Sequence, residues 1–474
     1  MTPAFPSAAF TEKLSALLKK AQEEARQRNA AVLVSVTLPV PRLDPLSFFS
    51  SARYRERVFW EQPDRAFAVV AVGAEAHLLG RGEERFAQVA AAWRQAVAHA
   101  CIDADPACPL PSPVSVGGFS FDPVRPPDSA WEAYPEALLL IPRFLLISSC
   151  DACWFTVNSL ISPQEETESL VTHIMNDLQR LWRNSSDVTQ EEMYLKSSVL
   201  SSDTNHSGQW HEAVSAILGG IQTGTVEKTV LARQQLVRSS RPISATVVLR
   251  RLRAAYRGCT VFAFGRHASC FIGATPERLV RLDGQHVQVT ALAGSAPRSS
   301  TETEDCAFGR ALLADDKERR EHALVVRALR EALSPLCHHL TIADAPTLLR
   351  MANVQHLYTP ITGELQGTTN VLHLVEALHP TPACGGFPRE SALSLIRLHE
   401  SFNRGWYAGP IGWIDGQGSG EFVVAIRSAL LSTHEAILYA GCGIVAGSDP
   451  EREYQESCLK LRPMLAALSG SNED

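Results

Sequence analysis

Strand-like and helix-like runs are mixed along this chain of 474 residues without the strict strand–helix–strand alternation that a doubly wound parallel sheet requires. AVLVSVTLPV and RAFAVVAVGAEAHLLG carry β-branched residues and turn signals at both ends, whereas ERFAQVAAAWRQAVAHA has helical spacing. A helix is expected over residues 210–222, followed by the strand KTVLARQQLV and several short strands between residues 260 and 292. ALLADDKERREHALVVRALREAL reads as one long helix with an apolar stripe of Leu312, Leu324, Ala328 and Leu329. This order predicts an α+β fold, with large antiparallel β-sheets flanked by helices. The Ser-rich polar stretch at residues 184–209 is the clearest shift in composition and reads as a boundary or connecting loop. It divides the chain into an N-terminal α/β half, 1–204, contributing to the same fold, a second region, 205–466, and a polar tail, 467–474.

Charge narrows the partners. A net charge of −7 and no run of Lys and Arg leave no basic field for a phosphate backbone, so no nucleic-acid partner is expected. The start reads as a polar lead into an amphipathic helix and lacks the apolar core of a signal peptide. EALLLIPRFLLIS, the longest apolar stretch, is interrupted by Pro142 and Arg143 and is too short to span a bilayer. A cytoplasmic protein without a membrane partner is expected. Eleven scattered cysteines are then reduced thiols. The one CxxC, Cys150 and Cys153, reads as two buried thiols at a strand end, and Cys337-His338-His339 as neighbours on a helix end that face different ways.

Two pairs of carboxylates stand out. Glu318 and Glu321 are three residues apart and share a helical face; Glu453 and Glu456 repeat that spacing in a closing segment that reads as a helix. One such pair is an ordinary solvated acidic face, here neutralised by Lys317, Arg319 and Arg320. Two helices with such edges can instead hold one hard cation through oxygen ligands, and Mg²⁺ suits a site that also takes an anionic ligand. Just ahead of the second pair, Gly441-Cys442-Gly443 reads as a turn whose backbone N–H groups suit an anion, and Lys460, one helical turn after Glu456, can reach the same anion.

From this point the chain resembles the chorismate-utilising enzymes and, within them, the isochorismate synthases. The resemblance rests on motifs in order across residues 205–466: KTVLAR from Lys228, GATPERL around Glu277, TALAGS ending at Gly294 and Ser295, KERREH from Lys317, HPTPA from His379, RGWYAGP from Arg404, EFVVAIR ending at Arg427, and the segment from Gly441. Upstream, DPLSFF from Asp44 and VFW from Val58 are similar to the amino-terminal half of the menaquinone-pathway synthases, which extends the likeness over nearly the whole chain.

The resemblance implies that Lys228 is the general base that activates water and Glu277 the general acid. Water adds at C2 of chorismate while the C4 hydroxyl leaves. An alcohol leaves poorly unless protonated, so the acid must stay neutral near pH 7, which burial favours. It also implies that Glu321 and Glu456 bind Mg²⁺, with Glu318 and Glu453 beside them, and that the metal orients the ring carboxylate. Arg427, Tyr407 and the Gly441 and Gly443 backbone hold the enolpyruvyl carboxylate, Lys460 helps hold the carboxylates, and His356, in VQHLYTPITGEL, lies near the ring hydroxyl. Gly294 and Ser295 join the substrate site.

Read from spacing alone, Lys228 remains a surface lysine at a strand start, Glu277 a capping residue, Arg427 an ion-pair partner of Glu421 and His356 an ordinary buried histidine. Ala293 stands where the aminodeoxychorismate synthases carry a lysine nucleophile, which leaves water as the nucleophile. LHPTPACGGFP departs from the commoner pattern in that Cys384 directly follows Ala383. The implied activity is an Mg²⁺-dependent isomerase of chorismate, with a monomer as its unit and menaquinone or a siderophore as the destination of its product. Salicylate synthase, an ammonia-using aminating enzyme and a non-catalytic chorismate-binding protein are the alternatives.

Overall fold

The computed structural model describes residues 8–51, 56–125, 128–186, 199–202, 207–351, 354–367 and 369–470. The strand Ala137–Ser149 is the branch point of the architecture. Its first residues pair with Val114–Phe119 and its last with Ala152–Ile161, while Phe67–Gly80 runs along nearly its whole length. From Phe67–Gly80 one sheet continues through Glu56–Gln62, Thr260–Arg266, Ser269–Thr275, Ser428–Leu431 and Glu435–Val445 to Lys228–Ser239. From Val114–Phe119 the other continues through Pro410–Asp415, Gly420–Val424, Arg278–Asp283 and His286–Pro297 to Val354–Leu365. Among the described residues every pairing is antiparallel except that of Val32–Val40 with Cys101–Ala104. Both halves of the chain contribute strands to both sheets, and helices flank them, an α+β fold.

The apolar run that looked interrupted is the central strand. Residues 137–142 are all buried, as a strand covered on both faces requires. Opposite Pro142, which has no N–H to give the ladder, the register slips between Ala74 and Ala76. Arg143 is paired with Glu75 at 3.3 Å and Asp177 at 3.0 Å. Aromatic side chains fill much of the main core, with Trp131 edge-on to Phe271 at 5.1 Å and Trp406 to Phe264 at 5.0 Å. A second core lies under the helices Ala8–Arg28, Thr167–Ser186, Ala245–Ala255 and Pro450–Ser469.

Local readings need correction in five places. The expected long helix is two, Glu302–Ala314 and Asp316–Leu333, because Asp315 turns extended and caps the second by accepting from Lys317 N at 2.8 Å and Glu318 N at 3.0 Å. Its buried face is His322, Val325, Leu329 and Leu333, not Leu324 and Ala328. Cys337 to His339 begin a strand, Cys337–Ile342, with the cysteine buried and the histidines exposed. Of the CxxC pair, only Cys153 is buried; Cys150 is exposed in the turn before Ala152–Ile161. The Ser-rich stretch contains the strand Val199–Ser202 and the start of the helix Ser207–Gln222; residues 187–198 and 203–206 of it lie outside the described residues. The helix Pro450–Ser469 runs into the expected tail, whose last four residues, 471–474, also lie outside the described residues.

Candidate active site

Every catalytic, metal and substrate residue expected from the sequence lines one cavity. Lys228 begins the strand Lys228–Ser239, and Glu277 sits at the crossing from Ser269–Thr275 to Arg278–Asp283. Glu318 and Glu321 occupy the start of one helix, and Glu453 and Glu456 the start of another. Both helices aim their N-terminal turns at the cavity, where carboxylates meet favourable backbone dipoles.

The carboxylates are held by lysines. Lys228 Nζ is 2.7 Å from Glu321 Oε1, Lys317 Nζ 3.1 Å from Glu453 Oε1, and Lys460 Nζ 2.6 Å from Glu456 Oε1. Glu318 has weaker support, a 3.2 Å bond from Ser295 N and Lys317 at 3.9 Å. Burial, then the charge on Glu321, pushes the Glu318 carboxyl up to about 7. Burial raises Glu456 too, but Lys460 reverses this and leaves it below the ordinary value. Arg319 and Arg320 are exposed, so the acidic edge faces the cavity and not solvent. This crowded, oxygen-only set fits a hard divalent cation. Cys442 Sγ also comes within 4.8 Å of the Glu453 and Glu456 ligand atoms, but its thiol is directed at Glu453 O, 3.1 Å away.

Lys228 is 1% exposed and Glu277 5% exposed, so neither is a surface group. Burial pushes the Glu277 carboxyl up to about 7 against the pull of Lys228, Lys460 and Arg427. His356 is buried and pushed down to about 3 by burial and by Arg427 and Lys460, so it is neutral. Its Nδ1 faces Ser295 Oγ at 2.9 Å and Gly294 O at 3.2 Å, while Nε2 is buried without a partner among the described residues. A bulge arranges these contacts. Gly294, at φ +79°, shifts the register between Ala293 and Ser295 and turns Ser295 N toward Glu318. His322 faces away from the metal edge, onto Ala293 O and Thr359 Oγ1.

Gly441-Cys442-Gly443 is not a turn but the interior of the strand Glu435–Val445. The anion-binding potential survives for a different reason. Gly441 and Gly443 lie opposite Ala232 and Val230, whose N–H groups are turned away to Glu400 Oε1 and Gly385 O, each 2.8 Å distant. These are non-hydrogen-bonded positions of the ladder, so both glycine N–H groups point to its free edge. Lys460 donates to Gly441 O at 3.0 Å as well as pairing with Glu456, so it is engaged with the protein itself. Arg427 makes no pair with Glu421, which is held by Arg278 at 2.8 Å and Arg281 at 3.6 Å. Among the described residues the Arg427 guanidinium has no ion pair or hydrogen bond, and it lines the cavity beside Tyr407.

A cavity with a buried acid, a buried lysine, a ring of carboxylates and a spare guanidinium suits a carboxylate-bearing substrate. Residues 17–469 match the chorismate binding enzyme family. The chain belongs to that family. Over 462 residues it is 39% identical to the salicylate biosynthesis isochorismate synthase of Pseudomonas aeruginosa, covering 96% of this chain and 94% of that protein. Over 458 residues it is 36% identical to the isochorismate synthase MenF of Bacillus subtilis, covering 95% and 96%. In structure it is similar to MenF, the menaquinone-specific isochorismate synthase from Escherichia coli, with a TM-score of 0.77 and 26% identity over 95% of this chain and all of that one.

Sequence reasoning about this chorismate binding enzyme missed the buried pair of Glu400 and Arg404. Arg404 Nε donates to Glu400 Oε2 at 2.8 Å, Nη1 to Cys384 O at 2.9 Å and Nη2 to Val230 O at 2.7 Å. It ties the strand of Lys228 to the segment of Cys384. Arg404 opens a quoted motif and Glu400 stands just before it, but the segment between them is not helical, so their spacing alone did not announce the pair.

Proposed function

We propose that the chain is an isochorismate synthase that converts chorismate to isochorismate with Mg²⁺ at its carboxylates. The observation that carries this reading is Glu277, buried and half-protonated at about pH 7 in the same cavity as buried Lys228. Glu277 donates a proton to the departing C4 hydroxyl, and Lys228, once neutral, accepts one from the water that adds at C2. One water enters and one leaves, so the reaction is an isomerisation. Arg427 and the Gly441 and Gly443 N–H groups receive the enolpyruvyl carboxylate, and His356 Nε2, a free acceptor, faces a ring hydroxyl. Glu321 and Glu456 would hold Mg²⁺, with Glu318 and Glu453 beside them. When bound, Mg²⁺ supplies the positive charge that neutralises and orients the ring carboxylate. Ala293 lines the cavity and offers no amine, which supports water as the nucleophile.

All site residues come from one chain, so a monomer is the proposed working unit. No described helix is long and apolar enough to cross a membrane. Eleven free cysteines support the proposed reducing, cytoplasmic setting. Menaquinone supply is the proposed destination, on the near full-length likeness to two MenF proteins. The salicylate-pathway relative covers as much of the chain, and rescue of a deletion strain by menaquinone or by a siderophore decides between them.

The test is incubation of the purified protein with chorismate, with and without Mg²⁺, and product identification by NMR and mass spectrometry. Isochorismate in equilibrium with chorismate, formed only with Mg²⁺, is the expected result. Salicylate and pyruvate as main products, an ammonium-dependent amine, or binding without turnover would each replace this reading.

A further inference from the structure

The Glu277 carboxyl has one hydrogen-bonding side-chain neighbour among the described residues, and it is a thiol, Cys384 Sγ, 4.0 Å from Oε2. The backbone of the acid is pinned separately. Glu277 N donates to Thr275 Oγ1 at 3.2 Å, Val424 N donates to Glu277 O at 3.0 Å, and Thr275 Oγ1 donates to Val424 O at 2.7 Å. Cys384 is fixed as firmly, with its N–H on Thr381 O at 3.0 Å and its carbonyl accepting from Arg404 at 2.9 Å. Just beyond it, Gly386 and Phe387 pair with Thr229 and Lys228. One short segment therefore touches the acid with a side chain and the base with its backbone.

We propose that Cys384 is a positioning residue for Glu277, filling the space beside Oε2 that a water or a hydroxyl would otherwise take. This rests on the assignment of Glu277 as the acid. The charged groups facing Glu277 are Lys228 from its strand, Lys460 from the closing helix and Arg427 from the segment after Gly420–Val424, and all three favour the carboxylate. Burial opposes them, and burial on this side depends on a neighbour that is neutral and weakly polar. Cys384 meets that need: it is buried, and burial and the nearby Glu277 hold its thiol well above its ordinary value. Serine's shorter side chain cannot reach Oε2 from the same backbone but, like alanine, leaves room for a water beside the carboxylate; either favours ionisation. Valine keeps the site filled and apolar.

Cys384→Ser and Cys384→Ala are each expected to move the basic limb of the kcat–pH profile down by about one unit, and Cys384→Val to leave it in place. An infrared titration of the protonated carboxyl band in substrate-free protein, assigned with Glu277→Gln, should move by the same amount. A loss of kcat that is uniform with pH, with limb and band unmoved, makes Cys384 a packing residue and overturns the proposal. So does a valine variant that shifts as far as the serine one. The infrared measurement needs no turnover: a band that shifts in a protein that leaves chorismate unchanged overturns the activity assignment and leaves the Cys384–Glu277 contact standing.

Discussion

Gly443 lies directly against the ion pair of Lys228 and Glu321. A Cβ at position 443 would come within 2.7 Å of both Lys228 Cε and Glu321 Oε1, closer than carbon tolerates. Lys228 is buried and cannot swing into solvent, and Glu321 makes room only by giving up its 2.7 Å contact with Lys228. Gly443→Ala is therefore expected to lower kcat at least tenfold and stability by roughly 1–3 kcal/mol, the usual cost of overpacking. Gly219→Ala, in a helix with nothing near the added carbon, is the control and should keep full activity. Steady-state kinetics and urea denaturation of the two proteins check this; an active Gly443→Ala enzyme would show that the pair moves freely.

The same ion pair separates the jobs of its partners. Lys228→Ala removes the proposed base while leaving the carboxylates in place, so turnover should fall by about 10²–10⁴-fold with chorismate binding kept within a few-fold. Glu321→Ala removes a proposed metal oxygen, so calorimetry should show weakened Mg²⁺ binding together with lost activity. If Lys228→Ala retains turnover, the lysine is an anchor for Glu321 and not a base.

Three lysine–carboxylate pairs already balance Glu321, Glu453 and Glu456. The fold is thus not expected to depend on the metal. Chelation with EDTA should stop turnover while shifting the urea midpoint little, and added Mg²⁺ should restore activity fully. Unfolding on chelation would instead assign the ion a structural role.

How much of this was legible in the sequence depends on what each feature rests on. The α+β class followed from the order of apolar runs, and the central strand Ala137–Ser149 was visible as a run even though Pro142 and Arg143 seemed to end it. That strand tolerates both because a register slip meets the proline and two carboxylates meet the arginine, contacts made by Glu75 and Asp177 far along the chain. Glu318, Glu321, Glu453 and Glu456 could be paired from i, i+3 spacing, but the lysines that hold Glu321 and Glu453 could not, since Lys228 and Lys317 lie far from them in sequence. Gly441 and Gly443 were read as a turn because glycine clusters usually mark one. In the strand their service is lateral room and two free N–H groups, which depends on how Val230 and Ala232 are oriented across the ladder.

Glu277 ties activity and stability to pH in the same direction. Its carboxyl is pushed up from 4.5 to about 7 in the fold, so the protonated, catalytically useful form dominates below about pH 7 and activity should fall as pH rises beyond it. Below about 4.5 both folded and unfolded states carry the proton and burial of this group costs nothing by linkage. As pH rises to about 7 the unfolded chain gains the ionised form first, and the folded state loses about 3 kcal/mol relative to acid conditions. Glu277→Gln cannot ionise. It should be inactive, equal to wild type in stability near pH 4.5, and more stable by about that amount at pH 8. Urea denaturation at both pH values checks this, and equal stability at pH 8 would mean that Glu277 ionises without penalty in the fold.

Arg427 should show a conflict between function and fold without any change of pH. Its guanidinium lines the cavity with no ion pair or hydrogen bond among the described residues, and burial lowers its affinity for the proton. An unpaired, desolvated charge destabilises the substrate-free protein, yet it is the group best shaped to receive a planar carboxylate. Arg427→Gln is therefore expected to raise the stability of the free protein by roughly 1 kcal/mol and to weaken chorismate binding by about 2 kcal/mol or more, some thirtyfold. Denaturation without ligand and calorimetric titration with chorismate measure the two effects separately. A variant that loses both stability and affinity would place Arg427 among the packing groups of the cavity; one that gains stability while losing affinity identifies it as the carboxylate reader.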